Sequence, residues 1–429
     1  MGVKFLGGMH MSNNQLIESN EFTYSPKLRF TEFRNTPEWT YKNGNEIFEA
    51  ISNKNHNSDL PILAITQEYG AIPRDEIDYT VIVTDKSVEG YKVVDRGDFI
   101  ISLRSFQGGI EYSRYKGICS PAYIILRKKD PSNIDLFYKY YLKTSIYIRQ
   151  LNHRIEGLRD GKMVSYKQFS EILLPLPLPQ EQAKISACIY SIDILIQNEL
   201  SKLQSYKQHR NGLLQELFPR DRENLPRLRL GEFSETWESV ELSKIAKPIK
   251  KKNSAEDEIK VLSLSNEYGL VSQIDYFQKK IAGNNTDRYI VLEKNDFVYN
   301  DRITKNAIYG TIKRLSLYES GIVSPIYKCF RFEKNQDPVF WEYFFESKTH
   351  ESEIKHIVNE GARAGRYNIS IDKFLSINVM QPSLAEQEKI ASCLTSLDHL
   401  ISHQKNYIDQ IKRHMKGLMQ QLFPVVEEI

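Results

Sequence analysis

No stretch of this sequence is apolar over the ~20 residues that a membrane-spanning helix needs, and its start lacks the basic-then-apolar pattern of a signal peptide. A cytoplasmic location is therefore expected. Four cysteines, Cys119, Cys188, Cys329 and Cys393, include no C-x-x-C pair, and no Cys/His cluster has zinc spacing. Free thiols in a reducing cytosol are the simplest reading, with Cys188 and Cys393 as small buried residues and no metal site. Catalytic signatures are missing too. There is no G-x-x-x-x-G-K-[ST] phosphate loop, no G-x-G-x-x-G after a strand, no Asn-Pro-Pro-Tyr-like motif, no H-E-x-x-H and no G-x-S-x-G. Nine histidines and scattered carboxylates form no constellation, so the chain alone is expected to catalyse nothing. A strong charge of one sign is also lacking. With a net charge of +3 and a pI near 8.4, any nucleic-acid binding must rely on basic residues gathered on particular surfaces.

What is present is a soluble-protein composition, 41% hydrophobic and 26% charged, and a long internal repeat. EQAKISACIYSIDILI, from Glu181, returns as EQEKIASCLTSLDHLI, from Glu386, and LLQELFP, ending at Pro219, returns as LMQQLFP, ending at Pro424. About 17 of the 39 aligned positions are identical. Fainter echoes run through the rest. PKLRFTEF (Pro26 to Phe33) answers PRLRLGEF (Pro226 to Phe233), followed by Trp39 and Trp237. Glu-Tyr-Gly recurs at Glu68 and Glu267, Asp-Phe at Asp98 and Asp296, and Ser-Pro-x-Tyr at Ser120 and Ser324. A Gly/Arg-rich loop recurs at Gly157–Lys162 and Gly361–Arg366. The helices match closely while the units between them share only a skeleton, which suggests two different ligands of one chemical class.

The repeated segments have coiled-coil periodicity. One seam reads Ile185, Ile189, Ile192, Ile196, Glu199, Leu203, Tyr206, Arg210, Leu213, Leu217. The other reads Ile390, Leu394, Leu397, Ile401, Gln404, Ile408, Ile411, Met415, Leu418, Leu422. Each helix should span roughly 55 Å, with Pro179 and Pro382 just before the starts and Pro219 and Pro424 as stops. A lone helix cannot bury such a seam, so the two should pack on each other, antiparallel, with pseudo-twofold symmetry. The matched polar step, Glu199 and Gln404, fits a register-fixing role.

The other segments read as α+β, about 160 residues each. Expected strands are Pro61–Thr66, Tyr79–Thr84, Phe99–Leu103 and Ala122–Leu126, then Lys260–Leu264, Phe297–Tyr299 and Ile326–Phe332, with aromatic-rich helices at Leu136–Arg149 and Val339–Lys348. The expected order is an irregular leader over 1–20, a first mixed domain over 21–178, a long helix over 179–219, a second mixed domain over 220–380, a second long helix over 381–424 and a tail over 425–429.

These features together resemble the specificity subunits of Type I restriction–modification systems. The residues that carry the resemblance are the EQAKI and EQEKI helix openings after proline-rich exits, the LLQELFP and LMQQLFP ends, and the PKLRF entry. It covers roughly residues 22–424. It implies two target recognition domains, each reading half of a split double-stranded DNA site, with the paired helices as a ruler between them. It also implies two methyltransferase subunits that use S-adenosylmethionine on adenines and, where the host has them, two motor/nuclease subunits that use ATP and Mg for phage defence. This chain itself would hold no cofactor.

On that reading, DNA-facing loops need cations for phosphates and amides or guanidinium groups for base edges. The candidates in the first domain are Arg104, Gln107, Arg114, Lys116, Arg154, Arg159 and Lys162. In the second they are Arg302, Lys305, Asn306, Lys313, Arg363, Arg366, Tyr367 and Asn368. Taken singly, each is also readable as a solvated surface charge, as is the run Lys247, Lys250, Lys251, Lys252. Trp39 and Trp237 read as core. The openings Gln180-Glu181-Gln182 and Glu386-Gln387-Glu388 suit either a docking point for partner subunits or an acidic first turn that favours the helix dipole. Two rival functions remain at this level: a coiled-coil adaptor without DNA specificity, and an enzyme with an unrecognised nuclease or methylase site.

Overall fold

The computed structural model describes residues 25–56, 59–76, 88–153, 164–220, 223–231, 233–254, 260–277, 286–305, 307–358 and 365–424. The expected strand Tyr79–Thr84, the leader, the tail and most of both Gly/Arg loops lie outside the described residues. The chain divides into two compact units. One combines the residues up to Asn198 with those from Ile408 onward, and the other is Glu199–Tyr407. The units therefore cut across the sequence blocks, because each takes one mixed domain and part of both long helices.

Each unit is built on the same antiparallel four-stranded sheet. In the first the order is Phe48–Ile51, Ile124–Lys128, Phe99–Ile101, Glu111–Tyr112; in the second it is Ala246–Pro248, Lys328–Phe332, Phe297–Asn300, Thr311–Arg314. Phe99, Ile100 and Ile101 are all buried, as a short apolar run in a central strand should be. The recurrent Asp-Phe now has a cause. Asp98 accepts two hydrogen bonds from Arg127 at 2.7 Å and one from the Asp95 amide. Asp296 accepts from Arg331 at 2.6 and 2.9 Å and from the Glu293 amide. Each carboxylate thus fixes a turn and neutralises itself on the neighbouring strand.

The expected helix Leu136–Arg149 is in fact two helices, Asp135–Tyr141 and Ser145–His153. Thr144 breaks it: its hydroxyl donates to the Tyr141 carbonyl at 2.7 Å and accepts the Tyr147 amide at 3.2 Å, replacing helical bonds with local ones. The equivalent helix in the second unit, Pro338–Glu346, starts on Asp337, which accepts the Phe340 amide.

The long helices span Pro179–Glu216 and Leu384–Leu422. Pro179 is the first helical residue rather than a residue before the start; there its missing amide costs nothing. In the first unit, Ile185 and Ile189 share one core with Trp39, Phe137, Tyr141 and the far end of the second helix, Leu422 and Phe423. In the second unit, Ile390 and Leu394 share a core with Trp237, Phe340, Trp341 and the far end of the first helix, Leu217 and Phe218. The Leu-Phe-Pro repeat is thereby explained, since Phe423 packs on Phe137 and Tyr141, and Phe218 on Trp237 and Phe340. Both tryptophans are core residues, as expected. Cys188 and Cys393, by contrast, are only half-buried, and all four thiols are free; neither lies on the seam of its helix.

The seam residues Ile196, Leu203, Ile401, Ile408 and Leu422 are buried, while Ile192, Leu213, Leu397 and Leu418 are half-buried. Within the second unit the helices run antiparallel, because Arg210 reaches Asp398 and Glu199 meets Gln404. Gln404 donates to the Glu199 carboxylate at 2.6 Å and to its carbonyl at 3.2 Å. Replacing Gln404 with Ala leaves this part-buried carboxylate short of a donor. We expect a loss of about 1–3 kcal/mol, read as a lower urea midpoint; an unchanged midpoint would show that the polar step is not coupled to stability.

Within the helix openings, Glu181, Gln182, Glu386 and Gln387 are buried and bound inside the fold, while Gln180 and Glu388 are exposed. Glu181 is 1% exposed and takes Arg29 in a two-pronged ion pair at 2.7–2.8 Å. Glu386 is 2% exposed and takes Arg229 likewise at 2.8 Å. The next residue repeats as well. Gln182 accepts the Ile134 amide and donates to Asn133, and Gln387 accepts the Asp337 amide and donates to Gln336. The PKLRF entry and the Glu-Gln opening are thus two halves of one clamp that binds each helix to its mixed domain.

His350 is buried beside Phe345, and burial, with Lys348 nearby, pushes its pKa down from 6.5 to about 3. The unfolded chain binds a proton below pH ~6.5 that the native ring refuses. Stability of this unit should therefore fall as pH drops through that window, by about 2 kcal/mol between pH 7 and 5. Urea midpoints at the two pH values test this, and His350→Leu should remove that part of the slope.

Candidate nucleic-acid interface

In the first unit, the strands Leu63–Thr66 and Gly70–Pro73 form a hairpin whose turn is Gln67-Glu68-Tyr69. Gly70 closes it at φ +76°, a conformation that favours glycine. The Gln67 amide donates to the Arg104 carbonyl at 3.1 Å, tying the turn to the loop that holds Arg104 and Gln107. That loop is a single helical turn, Ser105–Gly108, pinned by the Ser105 hydroxyl, which accepts the Ser102 amide. Arg104 and Gln107 point outward and are exposed. Arg114 and Lys116 are half-exposed but engaged. Arg114 lies over the Tyr190 ring and 3.6 Å from Asp193, and Lys116 is 3.2 Å from Asp95. Arg154, Arg159 and Lys162 lie outside the described residues.

The second unit brings two candidate loops together. The strands Leu262–Ser265 and Gly269–Ser272 form the matching hairpin, with the turn Asn266-Glu267-Tyr268. Asn266 accepts from the Thr311 hydroxyl at 2.5 Å and donates to Thr304 at 3.4 Å. Next to it, the loop from Arg302 pairs with the segment from Gly365. The Ile303 amide donates to the Gly365 carbonyl, the Tyr367 amide to the Asp301 carbonyl, and the Tyr309 and Tyr367 rings stack at 6.2 Å. Asp301, fully buried, anchors both: it takes Lys328 at 2.7 Å, Arg366 at 3.2 Å and the Ile369 amide at 3.0 Å.

This geometry divides the candidates. Arg366 is 21% exposed and binds Asn300 and Asp301, so it staples the two loops together. Arg302, Lys305 and Asn368 are exposed, while Lys313 and Tyr367 are half-buried. Asn306 and Arg363 lie outside the described residues. Among the described residues, Arg104, Arg302, Lys305 and Lys313 form no ion pair, whereas Arg114, Lys116 and Arg366 do. Lys247, Lys250, Lys251 and Lys252 are exposed; Lys247 donates to the Ser243 carbonyl. Sequence reasoning missed Tyr69 and Tyr268, which are 61% and 55% exposed at the hairpin turns. The repeated Glu-Tyr-Gly was the available signal. In both turns the hydrogen bond to the neighbouring glutamate, Glu68 or Glu267, raises the tyrosine pKa. No group of three or more His, Cys, Asp or Glu side chains among the described residues is placed to hold a metal ion.

A duplicated chain, with an α+β unit at each repeat and a pair of outward loops on each unit, defines the class: a two-headed recognition protein. The family model of the Type I restriction modification DNA specificity domain matches twice, over residues 37–206 and 234–413. The chain belongs to that family; it is a specificity subunit, not a catalytic one. It is 24% identical over 355 residues to the Type I restriction enzyme MjaVIII specificity subunit of Methanocaldococcus jannaschii, covering 79% of this chain and 80% of that one. It is 21% identical over 434 residues to the putative type I restriction enzyme MjaX specificity subunit of the same organism, covering 93% and 96%. Two solved structures share the fold. The Type I restriction-modification S subunit from M. genitalium superposes with a TM-score of 0.51 at 15% identity, covering 94% of this chain and 100% of that one. A chain from a study of assembly and conformational transition in the type I R-M system gives 0.52 at 13%, covering 90% and 98%.

Proposed function

We propose that this chain reads a bipartite DNA site, one unit per half-site, and carries the subunits that act on it. The observation that carries this reading is the repeated outward surface. In both units a loop with an exposed cation that has no carboxylate partner among the described residues, Arg104 in the first and Arg302 and Lys305 in the second, sits beside a hairpin turn that ends in an exposed tyrosine. Two methyltransferase subunits would dock on the chain and methylate adenine from S-adenosylmethionine. Motor/nuclease subunits, where present, would add ATP- and Mg-dependent cleavage. The two long helices would form one antiparallel coiled coil, a reading supported by their matched seams and by the Glu199–Gln404 step. Such an assembly works on DNA in the cytoplasm.

A genome-wide map of methylated adenines, in hosts with and without the chain, tests the function directly. A split motif that appears only with the chain is the expected result; no chain-dependent motif would refute it. The loops have their own test. Each phosphate contact releases counterions, so affinity should fall steeply with salt. Arg302→Ala and Lys305→Ala should weaken binding of the assembled enzyme to recognised and scrambled duplexes alike, and each should reduce the salt slope by about 1. An unchanged slope in both variants would remove this loop from the interface.

A further inference from the structure

The hairpin turns raise a question that recognition of two different half-sites leaves open. The loops beside them differ between the units, and so do the residues that precede the turns, Gln67 and Asn266. The turns themselves carry the same Glu-Tyr-Gly. Glycine is accounted for by its φ of +76° in both copies. Packing accounts for little of either tyrosine, since Tyr69 and Tyr268 are 61% and 55% exposed and, among the described residues, Tyr268 meets only the Tyr276 ring, at 6.0 Å, and an exposed ring adds little burial energy. Nor are the turns loose. Gln67 is bonded to the Arg104 loop, a Cβ on Gly70 would lie 2.7 Å from the Tyr112 carbonyl oxygen, and Asn266 is held by Thr311.

A feature identical on two otherwise different readers suits a contact common to both half-sites. Its charge indicates where that contact lies. Glu68 and Glu267 make each tip negative, so phosphates repel it. Base edges do not, because every base pair shows one amino group in the major groove, adenine N6 or cytosine N4. We propose that the Glu68-Tyr69 and Glu267-Tyr268 tips both enter the DNA groove and make the same contact in each half-site, the carboxylate on a base amino group and the ring against the base-pair edge. This rests on the DNA-reading function above. Discrimination between sequences then falls to the residues that differ, Gln67 and Asn266 with their adjoining loops.

The test uses the full chain assembled with its methyltransferase subunits, on duplexes with the recognised site and with one half scrambled. Tyr69→Ala and Tyr268→Ala should each lower affinity for the recognised site about tenfold, the scale of one lost base contact, while methylation mapping returns the parent motif. The side chains are exposed, so melting temperatures should not move. Glu267→Lys should also weaken binding; stronger binding would put the tip at the phosphates and overturn the proposal. Unchanged affinity in both tyrosine variants, or an altered half-site in either, would overturn it as well. If the parent assembly fails to distinguish the two duplexes, the DNA-reading function itself falls. If it distinguishes them and Lys305→Ala weakens binding while the tyrosine variants do not, only the tip contact falls.

Discussion

Exchanging residues 21–178 for the same block of a relative is expected to change one half of the recognised sequence and leave the other half as it was. The outward loops with Arg104 and Gln107 lie within that block, and those with Arg302 and Lys305 lie outside it. Each mixed domain belongs to its own compact unit. The structure also sets a condition on the exchange. The incoming block must supply an arginine at position 29 and a partner for Gln182 near Asn133, because the clamp onto Glu181 crosses the junction. A block without them should give a destabilised chain rather than a new specificity. Adenine-methylation maps of parent and chimaera decide the matter. A change in both halves, or in neither, would end the two-reader account.

Arg229→Ala should destabilise the second unit severely. Glu386 is 2% exposed and its carboxylate is bound by Arg229 on both oxygens. Removing only the arginine strands a buried charge, which costs about 3–5 kcal/mol, a large share of a domain's stability. Arg29→Ala should do the same to the first unit through Glu181, 1% exposed. The contrast lies with exposed pairs such as Lys294–Glu319, where the glutamate is 83% exposed and loss costs less than about 1 kcal/mol. Equilibrium unfolding in urea measures both. If Arg229→Ala costs no more than Lys294→Ala, the clamp is not what holds the helix to its domain. Pairing Arg229→Ala with Glu386→Gln should recover part of the loss, since a neutral amide is far cheaper to bury than an unpaired carboxylate.

Much of this molecule was legible in its residues because it is duplicated. A single copy of Glu-Tyr-Gly or Asp-Phe means nothing, but a second copy about 200 residues on shows that the position matters. The seams were equally plain, since an apolar residue every three to four positions has one physical use. What a repeat does not convey is the reason for it. Glu181 and Glu386 looked like an acidic helix start until Arg29 and Arg229, some 150 residues earlier in the chain, were found on them. Arg366 reads as a DNA-facing cation, and the bonds its guanidinium makes to Asn300 and Asp301 are not visible in the residues. Leu136–Arg149 looked continuous because the break depends on one hydroxyl at Thr144 choosing a local carbonyl.

The amino-acid sequence alone determined the repeat, the two long helices with their seams, the two core tryptophans and the absence of catalytic signatures. All of these follow from local periodicity and residue type. The tertiary structure alone decided which charges are used up inside the fold and which face outward. It also decided that each unit is closed by the start of one helix and the end of the other. Ion pairs and helix ends find partners far away in the chain, and which arginine meets which carboxylate is set only when the packed core brings distant segments within 3 Å of each other.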